Sequence, residues 1–247
     1  MPARPAPDRP SAKPDYGIDA PPIVAGLLAS GVVCLILACF RFGKLTIGSV
    51  TVLLTPSLWS IGISATIGGL LMIVYAKWWK FRHAERMMAL VPWRGDEKVL
   101  DIGTGRGLLL IAAARRLSTG SGVGVDIWSA KDLSGNAPQN TLKNAELEGV
   151  RERVEVQTGD ATKLTFADGT FDVVLSNLCI HNIPSRAGRK NACKEVIRVL
   201  KPGGRAVISD YIHTRAYASW FRAAGAQTKR SFYLSMPPLY VVEVQKP

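Results

Sequence analysis

Apolar residues are distributed along this chain in two different ways. From Ala20 to Phe40 there are 21 consecutive uncharged residues, and from Leu45 to Ala76 there are 32. Neither run carries the polar stripe at helical spacing that a helix on a soluble surface keeps. About 20 apolar residues cross the roughly 30 Å of bilayer hydrocarbon, so two transmembrane helices are predicted, at Ile23–Phe40 and Ser57–Ala76. The second is expected to start at Thr55-Pro56, a capping residue followed by proline at the first helical position. Gly68-Gly69 offers a point of close helix contact. Residues 1–19 are Pro-rich, lack apolar periodicity and are expected to be a disordered tail. A cleaved signal is the competing reading of the first run. The region before it is too long and too acidic for one, and a second apolar run follows.

Residues 77–92 break the apolar pattern with Lys77, Lys80, Arg82 and Arg86 among Trp78, Trp79 and Phe81. That mixture fits an interfacial linker helix at headgroup level. It also fits the first helix of a following domain, packing Met87, Met88 and Leu90 on a sheet, and both readings hold together. From Trp93 onward, short apolar runs alternate with helical patterns, which is the sign of an open sheet covered by helices. Seven strands are predicted: Lys98–Ile102, Gly122–Val125, Val154–Gln157, Phe171–Asn177, Arg205–Ser209, Gln227–Leu234 and Leu239–Gln245. Leu200-Lys201-Pro202-Gly203-Gly204 reads as a tight turn into the fifth. A second domain is therefore placed at 93–247, in the α/β class.

Composition adds one puzzle. The 247 residues are 47% hydrophobic yet carry a formal net charge of +12. The apolar content excludes disorder throughout, and four cysteines exclude a disulfide scaffold. Residues 1–92 hold nine Lys/Arg against four Asp/Glu, so the basic excess is not confined to the second part. The flank after the second span is more basic than the Arg41 and Lys44 connection, which predicts both termini and the second domain on the cytoplasmic side of a two-pass membrane protein. A second basic stripe, Arg186, Lys190, Lys194 and Arg198, is assigned to solvent or lipid headgroups. Nucleic acid is not favoured, because no RNA-binding module accompanies it.

The candidate chemistry sits at strand ends. The first strand enters Gly103-Thr104-Gly105-Arg106-Gly107, where glycines let a ligand approach the backbone. Leu108 breaks the dinucleotide spacing, and Asp101 ahead of the turn would repel a pyrophosphate but suits a cationic amino group. Asp126, ending the second strand, is placed to accept from ribose hydroxyls. Asp160, in Gly159-Asp160-Ala161 after the third strand, is placed to accept from an exocyclic amine. The cysteines lack metal-ligand spacing, so no metal site is expected.

The ordered set VLDIGTGRG at Val99–Gly107, Asp126, GDA at Gly159–Ala161, FDVVLSN at Phe171–Asn177 and LKPGG at Leu200–Gly204 resembles the class I S-adenosylmethionine-dependent methyltransferases, nearest their quinone-ring and small-molecule subgroup. The resemblance covers essentially all of 93–247. It implies a Rossmann-like seven-stranded methyltransferase sheet with S-adenosyl-L-methionine as cofactor. By that resemblance Gly103, Thr104, Gly105 and Gly107 form the cofactor turn, with Asp101 near the methionine ammonium. Asp126 and Ile127 would meet the ribose, and Asp160 and Ala161 the adenine. Ser176 or Asn177 would face the methionyl end. The Asn/Asp-Pro-Pro-Tyr/Phe motif of DNA and glutamine amino methyltransferases is missing, which argues against those substrates.

His181 and Tyr211, after the fourth and fifth strands, are the candidate catalytic groups, with His213 a weaker one. The loop from Trp128 to Pro138 is long enough to fold over the cofactor or acceptor. The membrane hairpin and residues 77–91 stand where small-molecule methyltransferases often carry a lid, so the expected acceptor is a small lipophilic molecule. A cofactor-free membrane scaffold and an RNA-directed methyltransferase are the alternatives.

Overall fold

The computed structural model describes residues 12–235 and 238–247. Helix α1 (Pro21–Ala38) opens with prolines in its first turn, where the backbone N–H has no helical partner to lose. A short exposed hairpin, β1 (Lys44–Ile47) and β2 (Val50–Leu53), leads into α2 (Leu54–Val74). The second helix therefore starts at Leu54 rather than behind a Thr55 cap. The hairpin runs straight into it through Leu54 N–H to Gly43 O, and the Thr55 hydroxyl is drawn off to Phe42 O at 2.6 Å. Pro56 is tolerated within the first turn because its missing N–H would have been unpaired.

The two helices pack antiparallel at glycines. A Cβ on Gly31 would collide with Thr66, one on Gly62 would come within 2.8 Å of Leu35, and one on Gly69 within 2.7 Å of Leu28. Gly68, by contrast, has its nearest neighbour at 3.9 Å and is not part of that contact. Ile23, Val32, Val33 and Ile36 on α1, and Ile61, Ile63, Ile67 and Leu70 on α2, are exposed. Both helices are long and apolar enough to cross a membrane.

A π-helical turn, Tyr75–Trp79, joins α2 to α3 (Lys80–Met88). Within the predicted linker 77–92, Met87 and Met88 are fully buried against Val99, Leu109, Val173 and Val207, while Trp78 remains exposed. The segment thus packs on the sheet as the first helix of its covering layer.

The sheet has seven strands: β3 (Lys98–Ile102), β4 (Ser121–Asp126), β5 (Val154–Thr158), β6 (Phe171–Asn177), β7 (Leu200–Asp210), β8 (Gln227–Tyr233) and β9 (Leu239–Gln245). Their order is β5-β4-β3-β6-β7-β9-β8, parallel through β7, with β9 inserted antiparallel between β7 and β8. The predicted turn at Leu200–Gly204 is instead the irregular start of β7. Leu200 pairs with Phe171, the register then shifts, and Gly203 takes φ +74° before Arg205 resumes the ladder opposite Val173. Helices α4 (Leu108–Ala114), α5 (Pro138–Leu147), α6 (Arg186–Val199) and α7 (Thr214–Ala223) complete the layers around the sheet. On α6, Arg198 leaves the predicted basic stripe: it is tied to Glu195 and Asp168 and to the carbonyls of Leu164 and Phe166.

Of the expected disordered tail, residues 1–11 lie outside the described residues, and 15–20 form a strap across the sheet's C-terminal edge. Backbone hydrogen bonds drive this: Ser134 N–H to Ile18 O, Ala20 N–H to Asp132 O, and Asn144 to both N–H and C=O of Asp15. Tyr16 is buried against Leu110, Ile111 and Val154.

Candidate active site

The turn after β3 depends on glycine chemistry. Gly103, Gly105 and Gly107 all have positive φ, and a Cβ on Gly103 would run into Cys179. Gly103 and Gly105 line the cavities described below, whereas Gly107 packs under Thr141 and Ile111, starts α4 and lines none of them. Asp101 is buried beneath the turn and accepts from Leu110 N–H at 3.1 Å. Burial pushes its carboxyl pKa up to about 7, against the opposing pull of its hydrogen bonds. Asp126 accepts from Gly105 N–H at 2.8 Å, Trp128 N–H at 2.7 Å and Asn136 Nδ2 at 3.2 Å, so β4 and two loops are knotted on one carboxylate.

Three cavities meet here. A narrow one of about 60 Å³ is lined by Asp101, Gly103, Thr104, Gly105 and Asn177, with Tyr16, Asp19 and Lys80 closing it. A second, of about 470 Å³, is lined by Gly103, Asp126, Ile127, Asp160, Ala161 and Leu178. Ile127 is exposed beside the acids and offers it an apolar wall. A third, of about 770 Å³, runs from Ile23, Leu27, Gly68 and Met72 of the hairpin to Tyr75, His181 and Tyr211. Gly103 belongs to the first two, Asp19 to the first and third, and Leu178, Asp132 and Asn182 to the second and third. Leu178 holds φ +52°, a conformation costing a non-glycine residue about 1–2 kcal/mol and found at functional junctions.

The predicted site residues divide accordingly. Asp101, Gly103, Thr104, Gly105, Asp126, Ile127, Asp160 and Ala161 gather around the first two cavities. Ser176 does not: it is buried with its hydroxyl on Ile102 O at 2.9 Å, because alternate residues of a strand point to opposite faces. Asn177 takes the place, and its Oδ1 is buried with no hydrogen-bond partner among the described residues. His181 and Tyr211 share the third cavity, their rings 4.7 Å apart. His213 lines none of these cavities and instead caps α7.

Sequence reasoning missed Asp210. This fully buried acid ends β7, lies 2.7 Å from His181 Nδ1 and accepts from the His181 N–H at 3.0 Å. Its signal was the strand-end position already used for Asp126. Lys80 was also missed. Its ammonium is buried and donates to Tyr16 O and Gly17 O, both at 2.8 Å, and to Asp19 at 3.2 Å; burial lowers its pKa. The loop at 128–138 does fold over the crevice, pinned to the strap rather than standing alone.

Residues 99–204 match the family described as methyltransferase domain. The 27-O-demethylrifamycin SV methyltransferase of Amycolatopsis mediterranei is 30% identical over 131 residues, 53% of this chain and 44% of that protein. The ubiquinone/menaquinone biosynthesis C-methyltransferase UbiE of Roseobacter denitrificans is 31% identical over 127 residues, 51% of this chain and 47% of that one. The chain thus spans less than half the length of these curated relatives. A crystal structure of an S-adenosylmethionine-dependent methyltransferase from Aquifex aeolicus has a TM-score of 0.54 at 17% identity, covering 66% of this chain and 89% of that one. That likeness is one of fold.

Proposed function

We propose that this chain, with its methyltransferase-domain match at 99–204, is an S-adenosylmethionine-dependent methyltransferase anchored in a membrane by α1 and α2, acting on a small lipophilic acceptor. The observation that carries the reading is the third cavity. Its walls come from the apolar hairpin at one end and from His181 and Tyr211 at the other, and it adjoins both cavities of the glycine turn. An acceptor dissolved in the bilayer reaches the reacting centre through it without crossing water.

The residues present fit the cofactor. Gly103 and Gly105 line the cavities with bare backbone, Asp126 and Asp160 supply acceptors in the larger cavity, and the unpartnered Asn177 Oδ1 belongs to a residue lining the narrow one. Asp101 and Asn177 would hold the amino-acid end, Asp126 the ribose and Asp160 the adenine. When bound, S-adenosylmethionine supplies an electrophilic methyl group on a sulfonium. The chain's task is then chiefly orientation, holding the acceptor atom in line.

His181 serves as the base for an acceptor that must lose a proton. Asp210 holds the His181 backbone N–H at 3.0 Å and lies 2.7 Å from Nδ1, which leaves Nε2 to take the proton. Tyr211, edge-on to that ring, bounds the acceptor's place.

Two measurements test this reading on the full chain in detergent. Calorimetry with S-adenosylmethionine is expected to show binding; its absence would leave the scaffold reading. Incubation with methyl-labelled cofactor and host-membrane extract is expected to put label into the organic phase. Label confined to water-borne acceptors would overturn the lipophilic assignment.

A further inference from the structure

The continuous helix that leaves the hairpin is graded along its length. Leu71, Trp79, Arg82 and Arg86 recur at near-helical spacing on one face through α2, the π-turn and α3. At 1.5 Å per residue, Arg82 lies about 16 Å and Arg86 about 22 Å beyond Leu71. The order along the axis is therefore apolar, aromatic, basic, which is the order of hydrocarbon, glycerol level and headgroup in one leaflet. These four residues line a cavity of about 330 Å³, closed on the far side by Leu234, which is 82% exposed, just past the end of β8.

The charge in this cavity is uncompensated. Neither Arg82 nor Arg86 has an ion pair or hydrogen bond among the described residues, and Arg86 has only the Tyr233 ring, 6.0 Å away. Arg94, Arg106, Arg115, Arg116 and Arg198 are each paired with a carboxylate. The one acid on α3, Glu85, is engaged by Arg116. His83 contributes no charge at neutral pH: its Nε2 is held by Ser209 Oγ at 2.7 Å, and burial lowers its pKa to about 4.

We propose that this cavity binds an anionic phospholipid, with Arg82 and Arg86 holding the phosphate, Trp79 beside the glycerol, and Leu71 and Leu234 along the acyl chains. The site shares no residue with the acceptor cavity. It rests on the membrane reading only for the direction in which the helix lies.

Native mass spectrometry of the full chain in neutral detergent tests it, with phosphatidylglycerol or phosphatidylcholine added. Wild-type protein is expected to retain phosphatidylglycerol preferentially. The Arg82→Gln/Arg86→Gln variant is expected to retain it about thirty-fold less well, as two basic contacts predict. Lys190→Gln/Lys194→Gln, which removes equal charge from α6, is expected to behave as wild type. Equal retention of both lipids, no loss in the arginine variant, or equal loss in the lysine variant would each overturn the site. Displacement of the lipid by inorganic phosphate at equal concentration would overturn the lipid assignment and leave a bare phosphate site. If the double variant fails to fold, as judged by S-adenosylmethionine binding, Arg82→Lys and Arg86→Lys are read instead. Both are expected to keep the preference, and its loss in both would count against a charge-based site. Alkaline extraction of host membranes tests the membrane reading separately: release of the protein would end that reading while leaving the detergent result intact.

Discussion

The proposed cofactor end and the proposed acceptor end of the crevice are built on opposite plans. Around the glycine turn, polar groups dominate: one carboxylate, Asp126, gathers Gly105, Trp128 and Asn136, while Asn177 Oδ1 and Asn136 Oδ1 have no partner among the described residues. Around the third cavity the walls are mostly apolar, with Asp19, Lys131, Asp132, His181 and Asn182 among them. On the function proposed above, the first plan would hold one ligand of fixed shape by directed hydrogen bonds, and the second would hold an apolar body loosely and fix only its reacting atom. Specificity for the cofactor would then be a matter of backbone geometry, and specificity for the acceptor one of shape and access.

The sharpest way to separate the two ends is His181→Ala. It is expected to lower kcat by about 10²- to 10³-fold while S-adenosylmethionine affinity, read by calorimetry, stays unchanged. Equal loss of both would mean that the ends are not independent.

The converse is Gly103→Ala, which forces a Cβ into Cys179 at φ +73°. Cofactor affinity is expected to fall roughly a hundredfold, as a strain and clash of about 3 kcal/mol requires. Adding Cys179→Gly is expected to recover part of it; recovery of nothing would place the whole effect in the backbone.

Asp101 gives a smaller, graded effect. Its free carboxyl titrates at about 7, raised by burial, and a bound ammonium favours the ionised form. Binding therefore releases a proton below that pH. Affinity is expected to be full above pH 7 and to fall up to tenfold per unit as pH drops below it. Asp101→Asn is expected to bind weakly with no such slope, and calorimetry across pH 5.5 to 8 checks both.

The smallest effect tests the apolar end. Gly68 lines the third cavity, and the nearest atom to its would-be Cβ is Leu27 Cδ1 at 3.9 Å. Gly68→Leu is expected to narrow the cavity and raise KM for the lipophilic acceptor by up to about tenfold, the cost of one displaced apolar contact. Cofactor affinity stays constant. Gly69→Leu, which strikes Leu28 instead, is expected to loosen the hairpin and lower the thermal midpoint.

How much of this was legible in the chain follows the same division. Strands β3 to β6, the glycine turn and the strand-end acids Asp101, Asp126 and Asp160 are local features, each declared by alternation or by residues within a few positions. The strap is not local. Residues 15–19 read as the end of a Pro-rich tail because their partners, Asn144 and Ser134, lie more than a hundred positions away. Lys80 read as an interfacial cation because nothing near it in the chain shows that three acceptors from the strap close around its ammonium. Ser176 and Asn177 were interchangeable in the motif until the pairing of β6 with β3 turned one hydroxyl onto Ile102.

By itself, then, the amino-acid order determined two apolar helices, an α/β domain after them, and a turn with glycines and acids fit for an adenosyl cofactor. Periodicity and local turn chemistry are short-range properties, and a linear reading suffices for them. Only the tertiary structure decided that the strap closes the narrow cavity, that Asp210 stands behind His181, and that the hairpin base opens into the crevice. Each of these joins segments distant in sequence, and burial and hydrogen-bond satisfaction select such contacts only after the chain has folded.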